Sequence, residues 1–144
     1  MIIKAALAAV MALLSIGVLT NGPAVAGETR AAASARIVDR PAVLRPDGGV
    51  RFTIAAKCDS RLQAFELDAS VVQYQASGFL LRLAPPAVVL CDGVRHRQRV
   101  VVYPSTGTFA PGSATVSVFV GFYDPQEDRD LARRDTATLT VVKR

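Results

Sequence analysis

Residues 114–123 have the sequence Ala-Thr-Val-Ser-Val-Phe-Val-Gly-Phe-Tyr, and their alternation decides the fold class. Every second residue from Ala114 to Phe122 is apolar, whereas the intervening positions are mostly small or polar. A repeat of two is that of a β-strand with one buried face and one open face. The segment therefore predicts a half-buried strand, the clearest one in the chain.

The same repeat of two extends from this segment toward both ends of the chain. It is regular at 50–58, returns at 65–74, where Phe65 begins the apolar row, and closes the chain at 136–142. Proline cannot donate a hydrogen bond to a sheet, so a run interrupted by Pro41 predicts an edge strand or a broken strand. The shorter apolar runs that complete the set of candidate strands are 36–44, 79–83, 88–91 and 99–103.

The turns and connections between these runs complete the fold prediction. Turn-forming residues occur at 46–49 and 76–78, and a polar connection occupies 124–134. No helical period follows residue 26. About seven strands separated in this way predict an all-β domain, an antiparallel sandwich whose topology we expect to be immunoglobulin-like.

The first residues of the chain have the pattern of a cleavable secretory signal peptide. Lys4 precedes an apolar run over 5–19, which is shorter than the roughly 20 residues of a membrane-spanning helix. Ala24-Val25-Ala26 then offers the small residues that signal peptidase accepts, so we expect a secreted protein without a membrane span in its mature form. An uncleaved anchor is the alternative. The expected organisation is a signal peptide over 1–26, a flexible N-terminal tether over 27–35 and a single domain over 36–144.

Charge and cysteine content narrow the function classes. The formal net charge of +5 is far below that of a dedicated nucleic-acid-binding protein, so we expect no nucleic-acid partner. Cys58 and Cys91 are an even count in a chain predicted to be exported, which favours a disulfide worth about 3–4 kcal/mol. A metal pair or a reactive thiol is the alternative, although the chain has no Cys-x-x-Cys and one histidine. We expect no metal and no cofactor.

The most concentrated basic cluster is Arg95-His96-Arg97-Gln98-Arg99. On a strand, Arg95, Arg97 and Arg99 share one face about 6–7 Å apart, a spacing at which guanidinium groups bind phosphates or sulfates. The favoured interpretation is nevertheless a solvated face whose charges prevent edge-to-edge pairing, and polyanion binding is the alternative. His96 lacks the nucleophile or the additional ligands that a catalytic or metal site needs, so we expect it to form a local hydrogen bond near the disulfide.

Three further groups of side chains are candidates for chemistry. Phe119 and Tyr123 lie on the outer face of the clearest strand and suggest a surface that a second sheet, a sugar or a protein partner covers, and a loop of the same chain is the equal alternative. The carboxylates in 124–130 are of the type that calcium prefers, but they match no defined calcium loop, so a solvated hairpin loop is the prediction. Glu66 and Asp68 occupy alternate positions of one strand, which is more typical of ordinary surface than of an acid/base pair.

A resemblance to a known family rests on short motifs. They are Cys58, Gln75, the turn Cys91-Asp92-Gly93 followed by His96, and Phe109-x-Pro111-Gly112-x-Ala114. In these residues, and over roughly 37–142, the chain resembles a small secreted actinobacterial domain family of unknown function. It departs from that pattern at Gln98, where the family often has an aromatic residue. The resemblance implies a secreted β-sandwich and no enzymatic activity.

These observations favour a secreted, non-enzymatic binding or interaction module, with an extracellular protein or an anionic wall polymer as its partner. A small secreted hydrolase or a carrier with an internal cleft is the first alternative. The second is a polyanion binder that uses the Arg95, Arg97 and Arg99 face. A deep pocket beside His96 lined by carboxylates would favour the hydrolase, and a flat surface there would favour the module.

Overall fold

The computed structural model describes residues 30–83 and 89–144. Within them the protein is all-β, with eight strands and no helix, which confirms the all-β part of the fold prediction and corrects the expected strand number of about seven. No helix in this part of the chain is long and apolar enough to cross a membrane. The predicted signal peptide lies outside the described residues. The strands are β1 (Ala33–Ile37), β2 (Ala42–Leu44), β3 (Val50–Cys58), β4 (Gln63–Gln73), β5 (Ala76–Leu83), β6 (His96–Val102), β7 (Gly112–Asp124) and β8 (Arg129–Lys143).

Hydrogen bonding arranges the strands in two groups that meet at β2. In the first group, β3 pairs antiparallel with β1 and with β6. In the second, the order is β2-β8-β7-β4-β5, and β2 pairs parallel with β8 while also pairing with β3. Pro41 lies between β1 and β2, where the chain leaves one group for the other, so the predicted interruption is confirmed as a broken strand.

The core is shared by the two groups. Strand β3 contributes Phe52 and Ile54, and the second group contributes Leu67, Val118 and Phe122, all of them buried. The regular alternation at β3 and β7 arises because every second side chain points into this core. The opposite face of each group is therefore left open to solvent.

The predicted disulfide is present between Cys58 and Cys91, which are 33 residues apart. Cys58 ends β3, and the backbone N–H of Gly93 donates to the Cys58 carbonyl at 2.9 Å. The bridge and this hydrogen bond fix the segment that leads into β6 against the end of β3. Val89–Cys91 forms no strand, contrary to the prediction for 88–91; Val88 lies outside the described residues.

The predicted connection over 124–134 is wrong, because β7 continues to Asp124 and β8 begins at Arg129. Early β8 lacks an apolar alternation because two of its side chains bind the free edge of β1. Arg133 donates from Nε to the Ala33 carbonyl at 2.7 Å, and Asp135 accepts the Ile37 N–H at 2.8 Å. Polar side chains thus satisfy an edge that a further strand does not cover.

The predicted turn at Ala76–Gly78 is also wrong. The turn between β4 and β5 lies at Tyr74 and Gln75, and Gln73 pairs directly with Ala76. Gly78 belongs to β5, where a Cβ would collide with the backbone of Tyr103. The glycine is needed for close approach of the chain and not for a change in its direction.

Two further sequence expectations are corrected at the ends of strands. A β-bulge between Ala64 and Glu66 moves Phe65 out of the inward row, so its half-buried ring lies over Gly121 instead. The predicted tether ends earlier than expected, because β1 begins at Ala33. The alanine-rich sequence there lacks large apolar residues, although Ala35 is buried.

Candidate functional site

The open face of the first strand group is basic. In β3 the outward positions include Arg51, Thr53, Ala55 and Lys57, which alternate with buried residues. Antiparallel pairing places Arg97 of β6 and Arg36 of β1 on either side of Ala55 in one row across the sheet. Arg99 pairs with Thr53 in the next row. The cationic side chains therefore surround small residues at the centre of a flat surface.

We call this surface the basic face and define it by the six cations Arg36, Arg51, Lys57, Arg95, Arg97 and Arg99. In the described part of the chain, none of the six takes part in an ion pair. None of the outward positions of β1, β3 and β6 is acidic. The basic face thus carries positive charge that no carboxylate of these strands neutralises.

The turn before β6 fixes the entry to the basic face. His96 contacts the Asp92 carboxylate through Nε2 at 2.8 Å, which confirms the predicted local hydrogen bond beside the disulfide. The pKa of Asp92 lies below its ordinary value, mainly because its carboxylate accepts a hydrogen bond from the Val94 N–H and to a smaller extent because it interacts with His96. Arg95 is exposed directly before β6, and it stands two and four residues before Arg97 and Arg99 in the alternation of this segment.

The open face of the second strand group has a different chemistry. Val72 and three alternate residues of β5, Phe79, Leu81 and Leu83, are each 47–62% exposed. Together with Glu66, Asp68, Phe119 and Arg134 they define what we call the apolar face. Large apolar side chains that cluster in this way mark an interaction surface more often than chance exposure.

Phe119 lies in the middle of the apolar face and is half-buried. The Arg134 guanidinium carbon is 5.5 Å from the centroid of its ring. The register places Leu81, Asp68, Phe119 and Arg134 in one row across four strands. Phe119 therefore lies between a carboxylate on one side and a guanidinium on the other.

The carboxylates of the apolar face are poorly solvated. The Oδ1 atom of Asp68 is buried and, among the described residues, has no hydrogen-bond partner. Burial is the main cause that raises the pKa of Glu66. The negative charge of Asp68 and a hydrogen bond between the two side chains raise this pKa further. Both side chains line a shallow groove of about 360 Å³ that also contains Phe79 and Arg134. A cationic group placed there would relieve the cost of burying these oxygens.

The acidic hairpin at 124–130 is a structural cluster. Asp124 is fully buried and its Oδ2 is 2.9 Å from Nη2 of Arg61. Burial alone would raise its pKa, but the N–H of Gln126 and the Arg61 guanidinium together hold it below the ordinary value. Tyr123, predicted as a binding residue, is half-buried and donates its hydroxyl to Asp128 at 2.7 Å. The described residues contain no group of three ligands arranged for a metal ion.

Sequence reasoning missed half of the basic face. Arg36, Arg51 and Lys57 are isolated in sequence, and only the pairing of β1, β3 and β6 brings them beside Arg97 and Arg99. The outward alternation of Arg51 and Lys57 on β3 was a usable signal. It predicted which side of the strand they occupy, but not which strands lie beside it.

Comparisons with known proteins add no relative. No protein-family model matches the chain. No curated protein and no solved structure matches it either. The resemblance to the secreted actinobacterial family therefore stays a prediction, and the function must be argued from the two open faces.

Proposed function

We propose that this protein is a secreted, non-enzymatic binding module of immunoglobulin-like topology whose basic face binds an anionic polymer outside the cell. The strand order supports the topology, since β1 pairs with β3 alone whereas β2 pairs with β3 and also with β8 of the other group, as a broken first strand of a sandwich does. The disulfide supports the compartment, because such bonds persist in oxidising surroundings. The broken first strand and the bridge are the two features of this chain that the proposal uses for fold and location.

The observation that carries the ligand class is the unpaired positive charge of the basic face. Along β6, Arg97 and Arg99 are separated by about 6–7 Å, and the neighbouring strand is about 4.8 Å away. This grid of cations is matched by a ligand whose negative charges repeat, and guanidinium groups bind phosphate and sulfate with two parallel hydrogen bonds. The ligand class is therefore a polymer of phosphate or sulfate groups.

The same face disfavours nucleic-acid bases as the recognised groups. The outward positions of β1, β3 and β6 are basic, small or aliphatic, and the exposed Tyr103 directly after β6 donates its hydroxyl to Asp47 at 2.9 Å. Recognition of single-stranded nucleic acid relies on stacking of bases on aromatic rings. Ionic contacts with a backbone of repeating charges need no such rings.

An enzymatic role has less support from the geometry. His96 is held by Asp92 at the end of an exposed turn. Three surface grooves among the described residues are lined by residues other than His96. A panel of hydrolase assays on the mature chain tests the non-enzymatic part of the proposal.

Binding to heparin, used as a sulfated polymer, and to polyphosphate tests the ligand class. We expect the wild-type affinity for both to fall steeply with salt, since each ionic contact contributes roughly 0.7–0.9 to the slope of log K against log salt. A variant with Arg95→Gln, Arg97→Gln and Arg99→Gln should lose about 2–3 from this slope. A preference for one of the two polymers would distinguish sulfate from phosphate as the natural group.

The matched control removes three charges elsewhere. Arg40→Gln, Lys143→Gln and Arg144→Gln change exposed residues outside the basic face and lower the net charge equally. We expect this variant to keep nearly the full slope. Equal loss of binding in both variants would reduce the interaction to net charge and overturn the proposal, as would wild-type binding that salt does not affect.

A further inference from the structure

We propose that the apolar face is the interface between two copies of this chain in a symmetric dimer. This inference goes beyond polymer binding and concerns the opposite side of the molecule. The apolar face combines two features: large apolar side chains that are exposed in the single chain, and charges of opposite sign that are too far apart to pair within it.

The apolar part of the face is concentrated on β4 and β5. Phe79, Leu81 and Leu83 are 59%, 47% and 62% exposed, and Val72 is 49% exposed. These four side chains are half of the exposed large apolar residues in the described part of the chain. Exposed apolar groups of this density on one face are unfavourable in water, and burial against a second surface stabilises them.

The charges on the face make it complementary to itself. One row across β4, β7 and β8 contains Asp68, Phe119 and Arg134. The Cα atoms of Asp68 and Arg134 are therefore two strand spacings, about 9.6 Å, apart. A two-fold axis that runs along the strands between β4 and β7 places β5 of one copy over β8 of the other, so the exposed side chains of β5 are covered. Each Asp68 then lies about one strand spacing, ~4.8 Å, to the side of the Arg134 of the second copy, within reach of its long side chain, as an isologous interface requires.

The missing cationic partner of Asp68 is the strongest single reason for one supplied from outside the chain. Among the described residues the half-buried Asp68 takes part in no ion pair, and Glu66 lies beside it with the same sign of charge. The guanidinium of Arg134 from a second copy supplies the opposite charge to the exposed part of this carboxylate. A second copy therefore satisfies the apolar groups and the carboxylates together.

The size of the face agrees with a weak dimer. Four strands about 4.8 Å apart and four outward rows about 6.8 Å apart give roughly 19 by 27 Å, or about 500 Å² in projection. Side-chain relief makes the accessible area larger than the projection and brings it toward the ~800 Å² per partner of a standard interface. We expect a dissociation constant in the micromolar range.

Sedimentation of the mature chain over a range of concentrations tests the inference. We expect a dimer that dissociates on dilution, and a monomer for Leu81→Glu, which places a charge within the apolar face. Leu90→Glu is the matched control, since Leu90 is 63% exposed beside the disulfide and away from the apolar face. This control variant should dimerise like the wild type.

A charge exchange tests the pairing itself. Asp68→Arg and Arg134→Asp should each weaken the dimer at least tenfold, and the double variant should recover most of the loss because the pair is restored with its signs reversed. Circular dichroism of each variant verifies that it is folded. Recovery in the double variant cannot be explained by a folding defect in either single variant.

Three results would overturn the inference. They are a monomeric wild type up to about 1 mM, a dimer that survives Leu81→Glu, and single charge variants that dimerise like the wild type. A wild type that stays monomeric but binds a different protein through this face also rejects the second copy as its occupant. None of these results bears on polymer binding, which is measured with variants of the opposite face.

Discussion

The two open faces of this protein differ in the kind of side chain that lacks a partner. The basic face presents six cations without carboxylate partners in β1, β3 and β6. The apolar face presents exposed leucine and phenylalanine together with a buried carboxylate oxygen that lacks a donor. Solvated arginines cost little free energy, whereas exposed apolar groups and unpartnered buried oxygens are unfavourable. The difference indicates an ionic ligand for the first face and a packed partner for the second.

The proposed dimer also relates the two faces to each other. Contact through the apolar face leaves the basic face of each copy pointing away from the interface. One long polymer can then bind both basic faces only if it passes around the dimer, whereas two polymers can be crosslinked directly. Avidity for an immobilised polymer consequently depends on the geometry of its attachment.

The largest expected effect follows from removing the disulfide, which lies next to the basic face and far from the apolar one. Cys58→Ala with Cys91→Ala should lower the free energy of unfolding by about 3–4 kcal/mol, measured by urea denaturation. Polymer binding should also weaken, since the segment before Arg95 is released from the end of β3. Dimerisation of the folded variant should be unchanged.

Treatment of the wild type with a reducing agent is the control for that double variant. Reduction should reproduce the loss of stability without any substitution. A folded double variant that no longer dimerises would show that the two faces are coupled through the core, and our separation of them would then be wrong.

The next effect compares arginines with and without partners. Arg61 is paired with the buried Asp124, whereas Arg97 is unpaired on the basic face. Asp124→Asn leaves the Arg61 guanidinium with only the more distant Glu127 carboxylate, at 3.6 Å, and should lower the free energy of unfolding. Arg97→Gln should stay within about 0.5 kcal/mol of the wild type.

The effect of Asp124→Asn should depend on pH. The pKa of Asp124 is lowered by folding, so its contribution is fully present above the ordinary value of 3.8 and is lost as the pH falls through the lower folded value. The difference in the free energy of unfolding between wild type and variant should therefore be largest near neutral pH and should become smaller in acid. A difference that is independent of pH would assign the loss to packing instead of charge.

The sequence predicted the basic face better than the apolar face. Alternation in β3 and β7 identified inward and outward residues because both strands cross the core once and regularly. Gly78 and the alanine-rich start of β1 were misread because close approach of two strands is a property of the tertiary structure. The basic face was found in part through Arg97 and Arg99, whereas Arg36 and Arg51 join it through pairings that local sequence does not encode.

The apolar face was harder to predict for a similar reason. Phe119 was recognised as outward, but the apolar run of β5 is equally consistent with a buried strand. The position of β5 at the end of its group, with pairing to β4 alone, leaves Phe79 and Leu81 exposed.

The smallest effect should come from Glu66, and its sign distinguishes the two carboxylates. Burial is the main cause that raises the pKa of Glu66 above its ordinary value of 4.5, and the neighbouring Asp68 carboxylate raises it further. A carboxyl group of this kind contributes stability below pH 4.5 that is lost as the pH rises through the raised folded value. Glu66→Gln removes this loss, so the variant should be slightly more stable than the wild type at neutral pH, the opposite of Asp124→Asn. Urea denaturation of the wild type and the variant at pH 4 and pH 7, at concentrations below those at which the wild type dimerises, measures this difference. A neutral-pH stability of the variant below that of the wild type would refute a poorly solvated Glu66.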